Sequence, residues 1–284
     1  MIEQSNYTKN PFRTFWFQIK KILIIQIAYP MDFFGQIFTS LFVGVWFIMF
    51  AVSVTSGDDA VTTGNVNYIG IAVWGFVAFL FYNVSMFSLG RFIRREQLTG
   101  TLESLWLTSA NKTWIIIANG TGHFFIYIIS NIMIVLGFSL FVTVPIENIG
   151  LGMLIILLEL IQVVGFGFLH GALVMKIKNA AAIQNLFTFA IMIFCAVLFP
   201  FSIFPEGMKW VSRLIPFSWI IDAFRSTMSG YEPELLYSGI LGLSPLVTEI
   251  LIIIGINLIM LLIGMFIFSR VTKKAMVEGT LSQY

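Results

Sequence analysis

The chain has 284 residues, of which 58% are hydrophobic and only 11% are charged, and its mean hydropathy is +0.93. An ordinary soluble domain carries about a quarter charged residues, so this composition excludes a soluble globular domain with a hydrated surface. The net charge of +2 does not point to a nucleic-acid partner, because basic residues beside membrane helices have the simpler role of orienting the chain.

Four long stretches of the chain contain no Asp, Glu, Lys or Arg, and two more contain a single acid, Glu159 or Glu249. The four are bounded by Asp32 and Asp58, Asp59 and Arg91, Lys112 and Glu147, and Lys178 and Glu206. A helix needs about 20 apolar residues to cross the hydrocarbon core. We therefore predict an all-α integral membrane protein with six transmembrane helices, two within 33–89, three within 114–199 and one at 247–268.

Residues 1–30 precede the first predicted span and carry apolar side chains at helical spacing, among them Phe12, Trp16 and Ile19, with Lys20 and Lys21 on the other face. This pattern predicts an N-terminal helix lying in the membrane interface. A solvated leader is the alternative.

Basic residues indicate the orientation of the chain, because they accumulate on the cytoplasmic side of membrane proteins. With both termini cytoplasmic, only Lys209, Arg213 and Arg225 of the 16 Lys and Arg residues lie outside. We therefore expect a multi-pass protein of the plasma or inner membrane, with the 90–113 loop and the 269–284 tail in the cytoplasm.

The segment 200–246, between the last two predicted spans, is too charged to cross the membrane and too apolar to be a free loop. It contains Pro205, Trp210, Pro216 and Arg225 among further aromatic and charged residues. Irregular backbone at membrane depth is tolerated when it packs on protein or lines a wet cavity. We predict an external re-entrant helical segment, with an ordinary external loop as the alternative.

The cytoplasmic loop 90–113 combines a charged run with a short amphipathic helix. Gly100 can reverse the chain direction, Thr101 can cap a new helix, and Glu103 lies in the first, positive turn of that helix. Leu102, Leu105 and Trp106 share one face of it. A surface helix with charges beside an apolar face is suited to docking into a groove on a partner.

In this loop the sequence resembles the permeases of type-2 ATP-binding-cassette (ABC) transporters, in which a basic run is followed by Gly-Thr-Leu-Glu and an apolar helix. The resemblance covers nearly the whole chain, from the interfacial helix to the proline-rich external segment with Pro216 and Arg225. The chain has Ser109-Ala110 where many relatives have proline after the helix.

The resemblance implies a single transmembrane permease domain whose coupling helix, at about 100–107, sits in a cleft of a separate nucleotide-binding subunit. Its expected coupling residues are Arg94, Arg95, Glu96, Gly100, Thr101, Leu102, Glu103, Leu105 and Trp106. ATP and magnesium belong in that partner, because the chain has no Gly-x-x-x-x-Gly-Lys-[Ser/Thr] phosphate-binding loop. A second permease, identical or related, would complete the path, and Pro205, Trp210, Pro216 and Arg225 would belong to an external gate.

Polar residues inside the predicted spans are candidates for function because they are costly in lipid. Glu159 and His123 are the ionisable ones, and Asn185 and Phe187 could line a path beside them. The alternative is hydrogen bonding that holds helices together. No catalytic set or metal-spaced cluster stands out, and the single Cys195 predicts no disulfide.

The sequence therefore favours a non-enzymatic exporter subunit that moves a drug-like or lipid-like amphiphile with ATP hydrolysed by a partner chain. Export of lipid-linked polysaccharide by the same mechanism is the nearest alternative. An ion-coupled transporter or channel would use Glu159 and His123 directly, and a membrane-embedded enzyme would need clustered catalytic groups.

Overall fold

The computed structural model describes residues 11–55, 68–108, 112–177, 180–236, 239 and 242–279. Across these residues the chain is helical and contains no β-strand. The predicted outer loop at 56–67 and the Ser109-Ala110 dipeptide lie outside the described residues. The helices are α1 Pro11–Ala28, α2 Pro30–Thr55, α3 Tyr68–Leu98, α4 Leu102–Leu107, α5 Lys112–Ser139, α6 Ile149–Val174, α7 Ala180–Phe194, α8 Glu206–Leu214, α9 Pro216–Ser229 and α10 Pro245–Val277, with a 3₁₀ turn at Phe201–Ile203.

Four helices, α3, α5, α6 and α10, are long and apolar enough to cross a membrane. Helices α1 and α2 meet this condition together, but they are bent by 83° at Tyr29-Pro30, where proline disfavours a continuous helix. Helix α7 is apolar but only 15 residues long. The described residues thus contain four helices that could cross a membrane, or five if the bent pair is one span; the six spans that charge spacing predicts stay a prediction.

Helix boundaries differ from the predicted spans because hydropathy marks the lipid boundary and not the end of the helix. Helix α3 continues through Arg91 and Arg95 to Leu98, and α10 continues to Val277, because Arg and Lys are good helix formers. Helix α7 ends at Phe194, five residues before the predicted end of its span at 199.

Helix α3 lies at the centre of the bundle, and 81% of its apolar window is buried inside the protein. It packs against α2, α5, α6 and α9. Its buried side chains, including Phe76, Phe81 and Phe87, belong to the main hydrophobic core. A helix that is apolar on all faces fits this position, where every face meets another helix.

Helices α6 and α10 form the most extensive contact in the bundle, and two glycines allow it. A Cβ atom on Gly264 would lie 2.4 Å from the carbonyl oxygen of Gly165. Small residues allow close backbone approach between membrane helices. The two helices therefore pack backbone to backbone at this level.

Candidate functional site

Helix α3 ends at Leu98 and is followed by Gly100, which adopts a left-handed conformation with φ of 70°. The N–H of Thr101 donates to the carbonyl of Glu96 at 3.0 Å, and the N–H of Gly100 donates to that of Gln97 at 3.1 Å. These two bonds form a Schellman motif, which favours glycine at the left-handed position. The predicted reversal at Gly100 thus has a defined geometry, and it places α4 beside the end of α3.

The Glu96 side chain connects this turn to the N-terminal helix. Its Oε1 lies 3.7 Å from Nζ of Lys21 on α1, and its Oε2 accepts a hydrogen bond from the Thr101 hydroxyl. Thr101 stands at the N-cap position of α4, but its side chain makes no capping bond to that helix. Its hydroxyl therefore stabilises the turn rather than the start of α4, which differs from the predicted cap.

The apolar face of α4 points into the protein. Leu102 is 1% exposed and Trp106 is 4% exposed, and both belong to a second hydrophobic cluster with Ile93 and Ile116, against which Leu105 is half-buried. This differs from the expectation that the apolar face docks into a partner. An amphipathic helix at a membrane surface can turn its apolar side toward its own bundle, and the sequence pattern does not distinguish the two cases.

The accessible surface of the loop is mainly polar, and Leu98 and Leu107 are its exposed apolar residues. Glu103, Ser104 and Leu107 are exposed, and so are Thr99 and Gly100 on the preceding turn. Arg95 is exposed as well, whereas Arg94 is half-buried and its Nη1 has no hydrogen-bond partner in the structure. A partner that binds this loop would meet the turn and the charged side of α4.

The segment 200–246 contains α9, which runs from the middle of α6 to the end of the bundle at which α6 begins. At its N-terminus, the carbonyl of Pro216 accepts a hydrogen bond from Gln162 at 3.1 Å. Toward its C-terminus, the carbonyl of Met228 accepts one from the N–H of Glu147 at 3.1 Å. Gln162 and Glu147 are separated by most of the first half of α6, which corresponds to about 20 Å of helix.

A buried ionic cluster holds the segment together around Arg225. Both Arg225 and Asp222 have fully buried side chains, and Nη2 of Arg225 lies 3.1 Å from Oδ1 of Asp222 and 3.7 Å from Oε2 of Glu234. Nη1 donates to the carbonyls of Ala196 and Phe199 at 2.7 Å. The guanidinium also lies 4.7 Å from the centre of the Phe201 ring.

The remaining acceptor of the cluster is occupied too, because Oδ2 of Asp222 accepts hydrogen bonds from the N–H groups of Glu234 and Leu235 at 2.8 and 2.7 Å. Burial raises the pKa of the neighbouring Tyr231 well above its ordinary value, so its phenol stays neutral. A buried charge pair is stable when such additional bonds satisfy it. Asp222 and Arg225 therefore connect the end of α7, α9 and residues 234–235.

The other predicted gate residues do not gather around Arg225. Pro205 precedes α8 and is exposed, Trp210 is 64% exposed with the Arg213 guanidinium 5.1 Å from its ring, and Pro216 begins α9. Arg225 is thus an internal connection of the segment, while Trp210 faces outward.

The sequence model of a known family, described as an ABC-2 family transporter protein, matches residues 49–271. The match includes the turn at Gly100, helix α4 and the external segment. The chain belongs to the ABC-2 transporter family. It is a transmembrane permease of a type-2 ABC transporter, and its family implies an ATP-binding subunit as partner. Comparison with curated proteins finds none that matches this chain.

The four residues predicted to line the path of this ABC-2 permease lie in different environments. Glu159 on α6 is 1% exposed, and its Oε2 has no hydrogen-bond partner in the structure. His123 on α5 is half-buried and lines a cavity beside α1. Asn185 and Phe187 are exposed on α7. The structure does not bring these four into one cavity of the described residues.

A separate cavity of about 280 Å³ lies between α2, α3 and α7 of the permease. Its walls are mainly apolar, with Phe47, Phe76 and Phe189 among them, and Asn83 donates to the Thr188 hydroxyl at 3.3 Å within it. The aromatic content of the sequence indicates that such side chains are available, but it does not predict which of them group together, because helix rotation sets which faces meet.

Two buried polar groups of the permease were not singled out as site residues from the sequence. Both ring nitrogens of His170 on α6 lack a hydrogen-bond partner, and so do both carboxylate oxygens of Glu249 on α10. Glu249 interrupts an otherwise apolar span, so the sequence carried a signal for it. His170 lies near the predicted cytoplasmic end of its span, where a polar residue is not unusual and gives no signal in the sequence.

Proposed function

We propose that this ABC exporter permease moves an amphiphilic or hydrophobic cargo, drug-like or lipid-like, with the energy of ATP hydrolysed in a separate subunit that binds ATP and magnesium. The observation that carries the proposal is the loop between α3 and α4. Its accessible side is polar and its apolar side is part of the core, so a force applied to the loop acts on the transmembrane bundle.

Transmission from the loop to the bundle is supported by two direct connections. Leu102 and Trp106 pack with Ile93 of α3, and the Glu96 side chain contacts both Lys21 and Thr101. Packed cores respond to displacement as near-rigid bodies. A nucleotide-binding subunit that pushes α4 would therefore move α1 and α3 together.

A second permease is proposed to face α7. This helix buries only Ile191 among its residues, and its other side exposes apolar side chains: Leu186, Phe187, Phe189 and Ile193. The cavity of about 280 Å³ beside it is close to the lower limit of drug-sized sites, about 300 Å³. A second copy across this face would enlarge the cavity, and its apolar walls favour a hydrophobic cargo over a polysaccharide.

The external segment is proposed to be re-entrant and to close the outer end of the path. Pro216 lies beside the middle of α6, and Met228 lies at the outer end of that helix. The ring centres of Phe217 and of Tyr82 on α3 are 3.8 Å apart, with the rings tilted by 55°. Because the Asp222–Arg225 pair holds this segment as a unit, we expect it to move with α3 and α6 rather than independently.

The orientation that this function requires can be tested by thiol labelling. Cys195 is fully buried, so background labelling is low. With a membrane-impermeant maleimide on intact cells, Leu243→Cys should react and Leu107→Cys should react only after permeabilisation. Labelling of Leu107→Cys in intact cells would place the loop outside and overturn the proposal.

Coupling is tested by Glu103→Arg in the permease co-expressed with its ATPase subunit. Like charges placed against each other at an interface cost several kcal/mol, so export of a lipophilic fluorescent dye should fall about tenfold or more. The matched control is Glu278→Arg, an exposed acid at the end of α10, which should export normally. Unchanged export by Glu103→Arg would remove the loop from the mechanism, and export without any ATPase subunit would favour the ion-coupled alternative.

A further inference from the structure

A second cavity lies apart from the apolar one beside α7. It measures about 620 Å³ and lies between α1, the last turns of α3, the Gly100 turn and α5. Its polar lining includes Lys21, Arg91, Arg95, Glu96, Asn119 and His123. The cavity shares Glu96 and Thr101 with the loop proposed above to contact the ATPase subunit, but that proposal assigns no ligand to it.

The lining of this cavity carries excess positive charge. Three basic residues line it, namely Lys21, Arg91 and Arg95, and Glu96 is the one acid among its described lining residues. Glu96 already contacts Lys21 at 3.7 Å and accepts from Thr101. Arg91 is exposed, and it is close enough to interact electrostatically with His123. The cavity therefore favours a ligand with negative charge.

The same cavity has apolar walls and lies beside the lipid. Ile22, Ile25 and Phe92 contribute to its lining, and α1 exposes apolar side chains along its length: Phe12, Trp16, Phe17, Leu23, Ile24 and Ile27. Helices with such a surface lie at the boundary of head groups and acyl chains. A ligand with an anionic head and a hydrocarbon chain matches both the charge and the position.

A buried amide adds a requirement for the head group. Asn119 is 3% exposed, lines the cavity, and its Oδ1 has no hydrogen-bond partner in the structure. An unsatisfied buried acceptor is costly, and a donor from a ligand would remove that cost. An ionised phosphodiester has no proton left to donate in such a bond, but a hydroxyl group on the same head group can donate one.

We propose that this cavity binds the head group of an anionic phospholipid that also carries hydroxyl groups, from the leaflet in which α1 lies. Its phosphate would face Arg91, Arg95 and Lys21, and a head-group hydroxyl would donate to Oδ1 of Asn119. Basic pockets between membrane helices are suited to such head groups. The bound lipid would join α1 to the end of α3, next to the turn that precedes α4.

The test uses the full-length chain in phosphatidylcholine nanodiscs without any ATPase subunit, so its outcome does not depend on the transport function. Phosphatidylglycerol is titrated in, and the lipid retained on the chain is measured by native mass spectrometry. We expect retention of phosphatidylglycerol in preference to phosphatidylcholine. Arg91→Gln should weaken it about fivefold, the effect of one basic residue near an anionic lipid, and Arg91→Lys should restore it.

The matched control is Arg270→Gln, at an exposed position on α10 where the guanidinium lies 4.8 Å from the Phe266 ring; it should retain the lipid as the parent chain does. Asn119→Leu should abolish the preference for phosphatidylglycerol over phosphatidic acid. If Arg91→Gln does not fold, Lys21→Gln replaces it. The proposal would be overturned if phosphatidylcholine were retained equally, or if Arg91→Gln and Arg270→Gln lost the lipid equally. Displacement of the lipid by equimolar glycerol phosphate would also overturn it, because that would indicate a site for soluble anions.

Discussion

The charged residues of the segment 200–246 and those at the loop 90–113 differ in how they are held in the structure. Asp222 and Arg225 are fully buried and bonded to two further parts of the chain. Beside the loop, the Lys21 side chain of α1 is 54% exposed and its Nζ lies 3.7 Å from Oε1 of Glu96, whose side chain is 16% exposed. Removing one partner of a buried pair leaves an uncompensated charge, whereas exposed pairs contribute little. The segment 200–246 is therefore built to keep one shape, whereas the loop 90–113 keeps an accessible surface.

The largest test of this contrast is Asp222→Ala, which leaves the buried Arg225 guanidinium without its main partner. We expect the free energy of unfolding to fall by about 3–5 kcal/mol, measured by denaturant titration in detergent. Glu232→Ala, which removes an exposed acid from the same segment, should change it by no more than about 0.5 kcal/mol. Similar losses in both variants would mean that burial does not distinguish these acids.

The glycine contact between α6 and α10 involves no charge, and its contribution to stability is a reference for the comparison of the two regions. In Gly264→Ala, the new Cβ would meet the Gly165 carbonyl at 2.4 Å, and overpacking should cost about 1–3 kcal/mol. Gly255→Ala is the control, because it lies on the same helix with open space around its Cβ position. The idea of a backbone contact between α6 and α10 fails if the two variants are equally stable.

The variant Gly100→Ala tests the turn that follows α3. The left-handed conformation at φ of 70° costs a residue with a Cβ about 1–2 kcal/mol, although nothing lies near the Cβ position. Amide exchange of residues 99–107 should quicken correspondingly while that of α9 stays unchanged. Faster exchange of α9 would show that the two ends are not separable. Gly207→Ala, in a helix with open surroundings, serves as the control.

The smallest effect is expected for Lys21→Ala, which removes the exposed ion pair with Glu96. The stability loss should be about 0.2–1 kcal/mol and should shrink in high salt. Thermal unfolding at low and high ionic strength measures it. A loss as large as that of Asp222→Ala would end the contrast between the two regions.

Much of the bundle could be predicted from charge spacing alone. Charge-free stretches predict α3 and α5, because lipid tolerates few charges in any helix that crosses it. Helices α6 and α10 are predicted in the same way, although each contains one isolated acid. The bend at Tyr29-Pro30 also follows from proline stereochemistry. The early end of α7 at Phe194 has no such signal, because apolar residues continue beyond it and tertiary contacts of the following turn decide where the helix stops.

The sequence predicts where the candidate site lies along the chain, but it does not predict which way the side chains of the site point. The Gly100 turn follows from one residue, whereas the inward rotation of Leu102 and Trp106 depends on the bundle beside them. Asp222 and Arg225 stand three residues apart on one helix, a spacing that permits pairing, but their burial depends on carbonyls at Ala196 and Phe199 that are remote in sequence.

The contact of α6 with α10 limits where a molecule can leave the bundle sideways. At Gly165 and Gly264 the gap between backbones does not admit even a methyl group, so an acyl chain cannot slip through there. A lateral opening for a membrane-dissolved molecule is therefore expected on the opposite flank, where a cavity lies between α2, α3 and α7. The proposed export path would then be closed to lipid at the glycine contact and open to it on that flank.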